Sequence, residues 1–342
     1  MGRFILRRLL IAILQLAGIT IAIFFIIRML PADPVAQMVG LNASPEAQRQ
    51  SAHMLGVDRT LPQQFANFLG VFSDTGQPGL LQGSLGSSWV TSQPVWGEIG
   101  QDLPITLQIV TYSLVAAFLI ALPLGLAAAR RPGGAADRTA LVWGLFAGAQ
   151  PDYWWGLLFI YVFFFILNIA PAPMGQLDPL LDPPGAITGF LTIDALLAGR
   201  LDVWLSALSH LVLPVLTLVF VVSGAIVKMV RTNTLRALRS DYILYARACG
   251  LPDRMVARYA LRAALTPAIT LVGIFYGILL SAAVTIEVVF SLNGIGQFAV
   301  RSVLAIDYPA IQGVVLVVAI VSLFIYLLLD VVHAFLDPRI RT

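Results

Sequence analysis

Six apolar stretches, each close to the length that crosses a bilayer, constrain this chain more than any other feature. They cover roughly residues 9–30, 104–129, 140–169, 206–229, 268–290 and 311–335 of the 342. A hydrocarbon core about 30 Å thick asks for about 20 apolar residues in a helix. Within it every peptide N–H and C=O must be satisfied by the chain itself, so such a stretch folds as an α-helix. Composition agrees: 11% of residues are charged, against roughly a quarter in a soluble domain. The expected fold class is therefore an all-α membrane protein with six transmembrane helices.

The first stretch follows MGRFILRR. It exceeds the apolar core of a secretory signal, and no A-x-A site follows, so it reads as a retained first helix. Orientation comes from the basic residues. Arg3, Arg7 and Arg8 precede the first stretch, Arg130, Arg131 and Arg138 join the second to the third, and Arg339 and Arg341 end the chain. Lys228, Arg231, Arg236, Arg239, Arg247, Arg254, Arg258 and Arg262 lie between the fourth and fifth. Both termini and these two loops are expected in the cytoplasm. Cytoplasmic retention explains the charge, and nucleic acid is not an expected partner. Cys249 is the single cysteine, so no internal disulfide can form.

The expected organisation has three parts: tail and first helix at 1–30, an extracytoplasmic segment at 31–103, and a five-helix core at 104–342. The core carries a cytoplasmic loop at 230–267 and a second extracytoplasmic segment at 170–205. In the first segment Pro31 and Pro34 stop the first helix. SPEAQRQSAHMLGV suits a short helix capped by Ser44, with Glu46 in its first turn, and LPQQFANFLGVF suits another. The second segment is rich in Pro and Gly, with one short helix expected at TIDALLAG. The two segments are expected to cap the outer mouth. The N-A-S triplet at Asn42 is too short a signal to carry a function.

The cytoplasmic loop reads DYILYARACGLPDRMVARYALRAALTP over residues 241–267. Tyr242, Tyr245/Ala246 and Cys249 recur at helical spacing, and Gly250 suits the left-handed position past a helix end. Asp253 is placed to cap a second helix. In that helix Met255/Val256, Tyr259/Ala260 and Ala263 form an apolar stripe beside Arg254, Arg258 and Arg262. Pro267 marks the start of the fifth span. One reading is an amphipathic hairpin on anionic lipid. The other is a docking element, because Ala246, Ala248 and Gly250 allow close approach and the arginines supply charge.

These residues resemble the EAA loop of ABC-importer permeases, in the form found in the dipeptide, oligopeptide and nickel branch. The matching residues are Asp241-Tyr242, Ala246-Arg247-Ala248, Gly250-Leu251, Ala260-Leu261-Arg262, Ala264-Leu265 and Pro267. Residues 103–129, VVFSLNGIGQFAVRSVLAIDYPAIQGVVL (288–316) and LLLDVVHAFLDPRIR (327–341) are similar to further blocks of that family. Leu244 stands where the generic signature has Glu, Cys249 where Lys is common, and Asn293 where Pro is frequent. The resemblance implies an inner-membrane permease that pairs with a second homologous permease. It implies two ATPase subunits gripping the loop as a coupling helix, and an extracytoplasmic binding protein delivering substrate. The docking residues it implies are Asp241, Tyr242, Ala246, Arg247, Ala248, Gly250, Leu251 and Arg254. Peptides are the expected cargo, with nickel complexes, haem or another small solute as the alternative. The chain itself is expected to bind no cofactor; ATP and Mg would serve the partner ATPases.

The residues alone support that division of labour. No G-x-x-x-x-G-K-[ST] occurs, so the chain has no phosphate-binding loop. No H-E-x-x-H or G-x-S-x-G occurs, and three scattered His with one Cys give no metal spacing. Glu287, near the outer end of the fifth span, is a gate or pathway candidate, because an ionisable group at membrane depth is a functional hypothesis by default. Its alternative is an interfacial position. Asp152, after Pro151, is a pathway candidate or a cap at a helix break, and Asn293 a gate candidate. Trp154 and Trp155 suit packing or an interface, Gly294 and Gly296 a short turn, and Asp330 with His333 an interfacial pair. An intramembrane protease would need Asp152 and Asp330 at one depth, and a channel or secondary transporter would need no docking loop.

Overall fold

The computed structural model describes residues 2–30, 32–40, 43–71 and 78–336, with side chains there except at 3, 261–270, 333, 335 and 336. Pro31, Asn42, Arg339 and Arg341 lie outside the described residues, as do the side chains of Arg3, Arg262, Ala263, Pro267 and His333. Among the described residues regular structure is helical: α1 Gly2–Met29, α2 Pro34–Val39, α3 Pro45–Leu55, α4 Leu61–Leu69, α5 Val95–Arg130 and α6 Ala135–Ala147. Then come α7 Asp152–Phe159, α8 Leu191–Leu197, α9 Leu201–Leu238, α10 Asp241–Ala248, α11 Asp253–Phe290, α12 Ile295–Leu304 and α13 Tyr308–Leu336.

Among the described residues five helices are long and apolar enough to cross a membrane: Phe4–Met29, Val95–Arg130, Leu201–Leu238, Leu271–Phe290 and Tyr308–Val332. The stretch expected as one span over 140–169 is two pieces. α6 ends at Ala147, the chain turns through Gly148–Pro151, and α7 runs on as a π-helix over Ile160–Ile166. Hydropathy had read across this break. Pro151 disfavours a helical residue before it and cannot donate to the preceding turn, so the segment divides there.

The chain forms two compact units, Met1–Pro104 with Asn293–Phe324, and Ile105–Leu292 with Ile325–Thr342. In the first, α3 and α4 begin and end as their sequences ask. The Ser44 hydroxyl accepts from the Ala47 N–H at 3.2 Å, and Gly56 and Gly70 close the two helices with φ of +67° and +79°. Arg28 lies over the Phe24 ring, 3.7 Å from its centroid, and donates to Gln64 Oε1 at 2.7 Å, which ties α4 to α1. Helix α13 starts where Asp307 accepts from the Ala310 N–H (3.3 Å) and also from Ser88 Oγ (2.5 Å) and the Trp89 N–H (3.2 Å). The D-Y-P sequence is thus a helix cap that also pins the 84–94 loop. Gly313 lets α13 approach the start of α5: a Cβ there would lie 2.6 Å from Val95 Cγ1.

In the second unit α9 and α11 pack along their lengths, with α6, α7 and α8 against α9. Leu211, Leu218, Val222, Ile226, Leu279 and Ile286 are buried between them. Helices α6 and α9 touch backbone to backbone, because a Cβ on Gly224 would lie 2.9 Å from Gly144 Cα. Small residues at such a crossing let dispersion act where lipid gives no hydrophobic drive. The expected TIDALLAG helix is α8. Asp194 on it accepts from the N–H of Ile187, Thr188 and Gly189 and from the Thr188 hydroxyl, at 2.7–3.3 Å. Burial pushes the Asp194 carboxyl up, but these hydrogen bonds outweigh that and hold it below its ordinary range.

Candidate functional site

The basic loop folds as a helix hairpin at the end of α9. Helix α10 begins after Ser240, and Asp241 sits in its first turn, where a carboxylate meets the positive helix end. Cys249 closes it and Gly250 takes φ +74°, the left-handed conformation expected of it. The Leu251 N–H returns to Ala246 O at 3.2 Å, a helix-closing bond. Two expectations change here. Pro252, not Asp253, occupies the capping position of α11, and Asp253 is the first helical residue. Moreover, α11 continues from this hairpin to Phe290 as one helix, so the second loop helix and the fifth span are a single rod.

The hairpin has its own small core: Ile243, Val256 and Ala260 are buried with Ala237 of α9, with Leu238 and Leu251 packed around them. The aromatic stripe predicted for α10 is not its buried face. Tyr242 is 49% and Tyr245 73% exposed, while Ile243 is fully buried. A helix of two turns has room for one anchor, and the residue nearest α9 and α11 took it. On α11, Val256 and Ala260 are buried as predicted, but Met255 and Tyr259 face outward. Arg247, Ala248, Gly250, Arg254 and Arg258 are exposed, while Ala246 and Leu251 are half-buried. Arg130, Arg131, Arg247, Arg254 and Asp253 line a recess of about 530 Å³ beside the hairpin. Upstream, Arg231 pairs with buried Asp137.

At the other end of α11, Glu287 is fully buried, and the Thr106 hydroxyl of α5 donates to its Oε1. The helix ends just beyond, with Ser291 left-handed (φ +50°) and the Leu292 N–H returning to Glu287 O at 2.9 Å. Asp152 opens α7. Its Oδ1 accepts from the Tyr153 N–H (3.0 Å) and its Oδ2 from the Thr285 hydroxyl (2.9 Å). Asp152 thus has the capping and packing contacts weighed for a helix break. Thr285 and Glu287 are two residues apart on α11 and do not share a face, so Asp152 is not brought to Glu287. Asn293 belongs to the first unit, with φ +52° and its N–H on Gln297 Oε1 at 2.8 Å. Proline, locked near φ −65°, cannot adopt that backbone, so Asn suits the position in this chain. Gly294 lies in the short irregular segment expected there, as the N-cap of α12, while Gly296 is inside that helix.

Sequence reasoning passed over a buried polar set on α5. Gln108 Nε2 donates to Thr192 Oγ1 of α8 at 2.6 Å, and the Tyr112 hydroxyl lies 2.6 Å from the same oxygen. The signal was present as Thr106, Gln108 and Tyr112 inside an apolar stretch, where each polar group needs a partner.

Two family profiles match the chain. One, described as binding-protein-dependent transport system inner membrane component, covers residues 121–342. The other, the N-terminal membrane component of the same kind of system, covers residues 1–110. The chain belongs to this binding-protein-dependent transport family. Among curated relatives, it is 38% identical to the "Probable D,D-dipeptide transport system permease protein" of Escherichia coli K12, over 96% of this chain and 94% of the relative. It is 36% identical to a di/tripeptide transport system permease protein of Pseudomonas aeruginosa, over 99% and 98%. It is 34% identical to the dipeptide transport system permease protein of Escherichia coli K12, over 100% and 99%. As a family member with several helices long and apolar enough to cross a membrane, it is a multi-pass protein of the bacterial inner membrane and a transport permease rather than an enzyme. Dependence on a binding protein is part of the family's description.

Proposed function

We propose that this permease forms, with a second homologous permease subunit, the pathway of an ATP-driven importer for dipeptides or longer peptides. Full-length similarity to three permeases named for dipeptide or tripeptide transport carries the reading. The proposed topology has six spans, the broken α6–α7 segment being the third, with both termini and the α10–α11 hairpin in the cytoplasm. The extracytoplasmic segments meet the binding protein.

Two ATPase subunits grip the two coupling loops, one on each permease. They use ATP and Mg, and this chain binds no cofactor of its own. Asp241, Tyr242, Ala246, Arg247, Ala248, Gly250, Leu251 and Arg254 form the docking surface here. The exposed tyrosines and arginines support this, because aromatic and Arg residues are the ones that anchor interfaces. Because α11 runs unbroken from hairpin to Glu287, closure of the ATPase pair is transmitted as rigid-body motion of one rod. Glu287, Asp152 and Asn293 are the residues proposed to respond at the outer end as gate or pathway lining.

Affinity purification from native membrane, with mass spectrometry of the co-purifying chains, tests the assembly. A second permease and ATPases carrying a phosphate-binding loop are the expected result; the chain alone would overturn it. Gly250→Trp tests the coupling. It should insert normally and lose ATP-driven import, since φ +74° strains any side chain there and the turn is the proposed contact. Normal import by this variant would refute the coupling role.

A further inference from the structure

Four arginines converge on the recess beside the hairpin. Arg130 and Arg131 line it from the end of α5, Arg247 from α10 and Arg254 from α11. Cytoplasmic retention explains why arginines abound on this side. It does not explain why separate segments bring four of them to one cavity of about 530 Å³. Like charges so placed repel. Among the described residues none of the four makes an ion pair or donates a hydrogen bond, whereas Arg231 on α9 pairs with Asp137. Among the described residues one acid, Asp253, lines the recess, and it pairs with none of them.

The walls are held in place. The Gly133 N–H donates to Asp137 Oδ2 at 2.8 Å, and Arg231 Nη2 donates to the same oxygen at 3.0 Å, which fastens the turn after Arg131 to α9. Ile243, Val256 and Ala260 fasten the hairpin to α9 on the other side. The helices also set the level of the recess. A Cβ on Gly125 of α5 would lie 2.8 Å from Val230 Cβ, so α5 and α9 leave their apolar stretches side by side. Arg130 is the next residue after the apolar stretch 104–129. The headgroup layer outside the hydrocarbon is about 5–7 Å thick on each side, so Arg130 and Arg131 stand within it.

We infer that this recess holds the phosphate of an anionic phospholipid from the inner leaflet. The inference rests on the cytoplasmic placement of the hairpin proposed above and not on the cargo. Guanidinium groups take phosphate oxygens in paired, charge-assisted hydrogen bonds. Four arginines against one aspartate leave the site cationic, so it selects a net anionic headgroup over phosphatidylcholine. Asp253 offers an acceptor to a headgroup hydroxyl. Leu238 and Val256 line the same recess and suit the glycerol and first methylenes of the lipid. Soluble phosphate shares this chemistry, and the level of Arg130 favours the lipid. Bound there, the lipid ties the end of α5 to the coupling hairpin.

The test titrates the purified importer complex in detergent with dioleoylphosphatidylglycerol and with dioleoylphosphatidylcholine, counting bound lipid by native mass spectrometry. Wild type is compared with the double variants Arg130→Gln/Arg131→Gln and Arg130→Lys/Arg131→Lys. Neither arginine belongs to the proposed ATPase-docking set, and ATPase retention is scored on the same preparations. Wild type should hold one more phosphatidylglycerol than the Gln variant, and no matching phosphatidylcholine. The Gln pair should weaken that site about tenfold or more, since each arginine beside an anionic headgroup contributes a factor of about five. The Lys pair should recover most of the loss. Should the Gln pair fail to assemble, Arg131→Gln, just past the end of α5, repeats the measurement with a loss of about fivefold expected.

Equal phosphatidylglycerol binding by wild type and the Gln variant overturns the inference, and so does equal affinity for phosphatidylcholine. Displacement of the lipid by inorganic phosphate at equal molar concentration overturns it as well, making the site one for a soluble anion. Loss of the ATPases from the Gln variant with lipid binding unchanged assigns the recess to an acidic surface of the ATPase instead. Absence of ATPases from wild type overturns the assembly reading alone, because lipid binding is scored separately.

Discussion

The two ends of α11 treat their surroundings in opposite ways. At the Glu287 end the carboxylate is fully buried, Thr106 donates to it, and the neighbouring Ile286, Phe290 and Leu292 are buried in the core. At the Asp253 end Ala237, Ile243, Val256 and Ala260 form a small buried core, while Tyr242, Leu244, Tyr245, Met255 and Tyr259 face outward among arginines. The buried end satisfies its polar group within the chain, as membrane depth requires. The hairpin leaves large apolar groups uncovered, which a lone element in water gains nothing by doing. The difference is the one expected if the hairpin is, as proposed above, the surface that meets another molecule.

The largest break in that comparison is Ile243→Asp. A carboxylate among Ala237, Val256 and Ala260 has no partner, and burying it unpaired costs several kcal/mol. The hairpin should open while the span bundle persists. Limited proteolysis should then cut between α10 and α11, and ATPase co-purification should vanish. An intact, docking-competent hairpin would show that its core does not hold it.

Next in size is Gly224→Leu, which drives a side chain into the Gly144 backbone. Overpacking of this kind costs about 1–3 kcal/mol. The melting temperature of the purified complex should fall, with hairpin proteolysis unchanged. An unchanged melting temperature would mean that α6 and α9 do not cross so closely.

Acid offers a milder probe of the self-satisfied class. The Asp194 carboxyl is held below its ordinary range, so its contribution is fully present above the unfolded aspartate pKa. It is lost as pH falls through the lowered folded value. Hydrogen exchange at Thr188 and Gly189, corrected for intrinsic rate, should show protection at neutral pH that declines only in strong acid. Asp194→Asn should abolish that decline; identical profiles would remove the role given to Asp194.

Smallest in stability, and sharpest for the comparison, is Tyr245→Ala. At 73% exposure it should change the chain's stability by no more than about 0.5 kcal/mol. It should nevertheless weaken ATPase retention on an affinity column. A stability loss with normal retention would reverse the assignment of that surface.

Helix existence was legible because its cause is local. Membrane length, the Ser44 cap and the Gly250 turn depend on neighbouring residues, and each appears where the residues ask for it. Partners across the chain were not legible. Nothing near Glu287 in sequence names Thr106, and nothing near Asp307 names Ser88. The choice of Ile243 over the tyrosines as anchor was likewise invisible, since both patterns fit helical spacing. Asn293 shows the limit from the other side: its departure from proline was visible, and its left-handed backbone was not.

By itself, then, the sequence determined that this chain is a helical membrane protein with a basic loop that is broken at Gly250. Apolar length, charge bias and glycine's freedom at positive φ are properties of short segments. Tertiary structure alone decided which residue anchors the hairpin against α9 and α11, and which carboxylates are satisfied and by what. Those outcomes depend on which side chains meet across distant segments, and close packing settles that only once the helices have met.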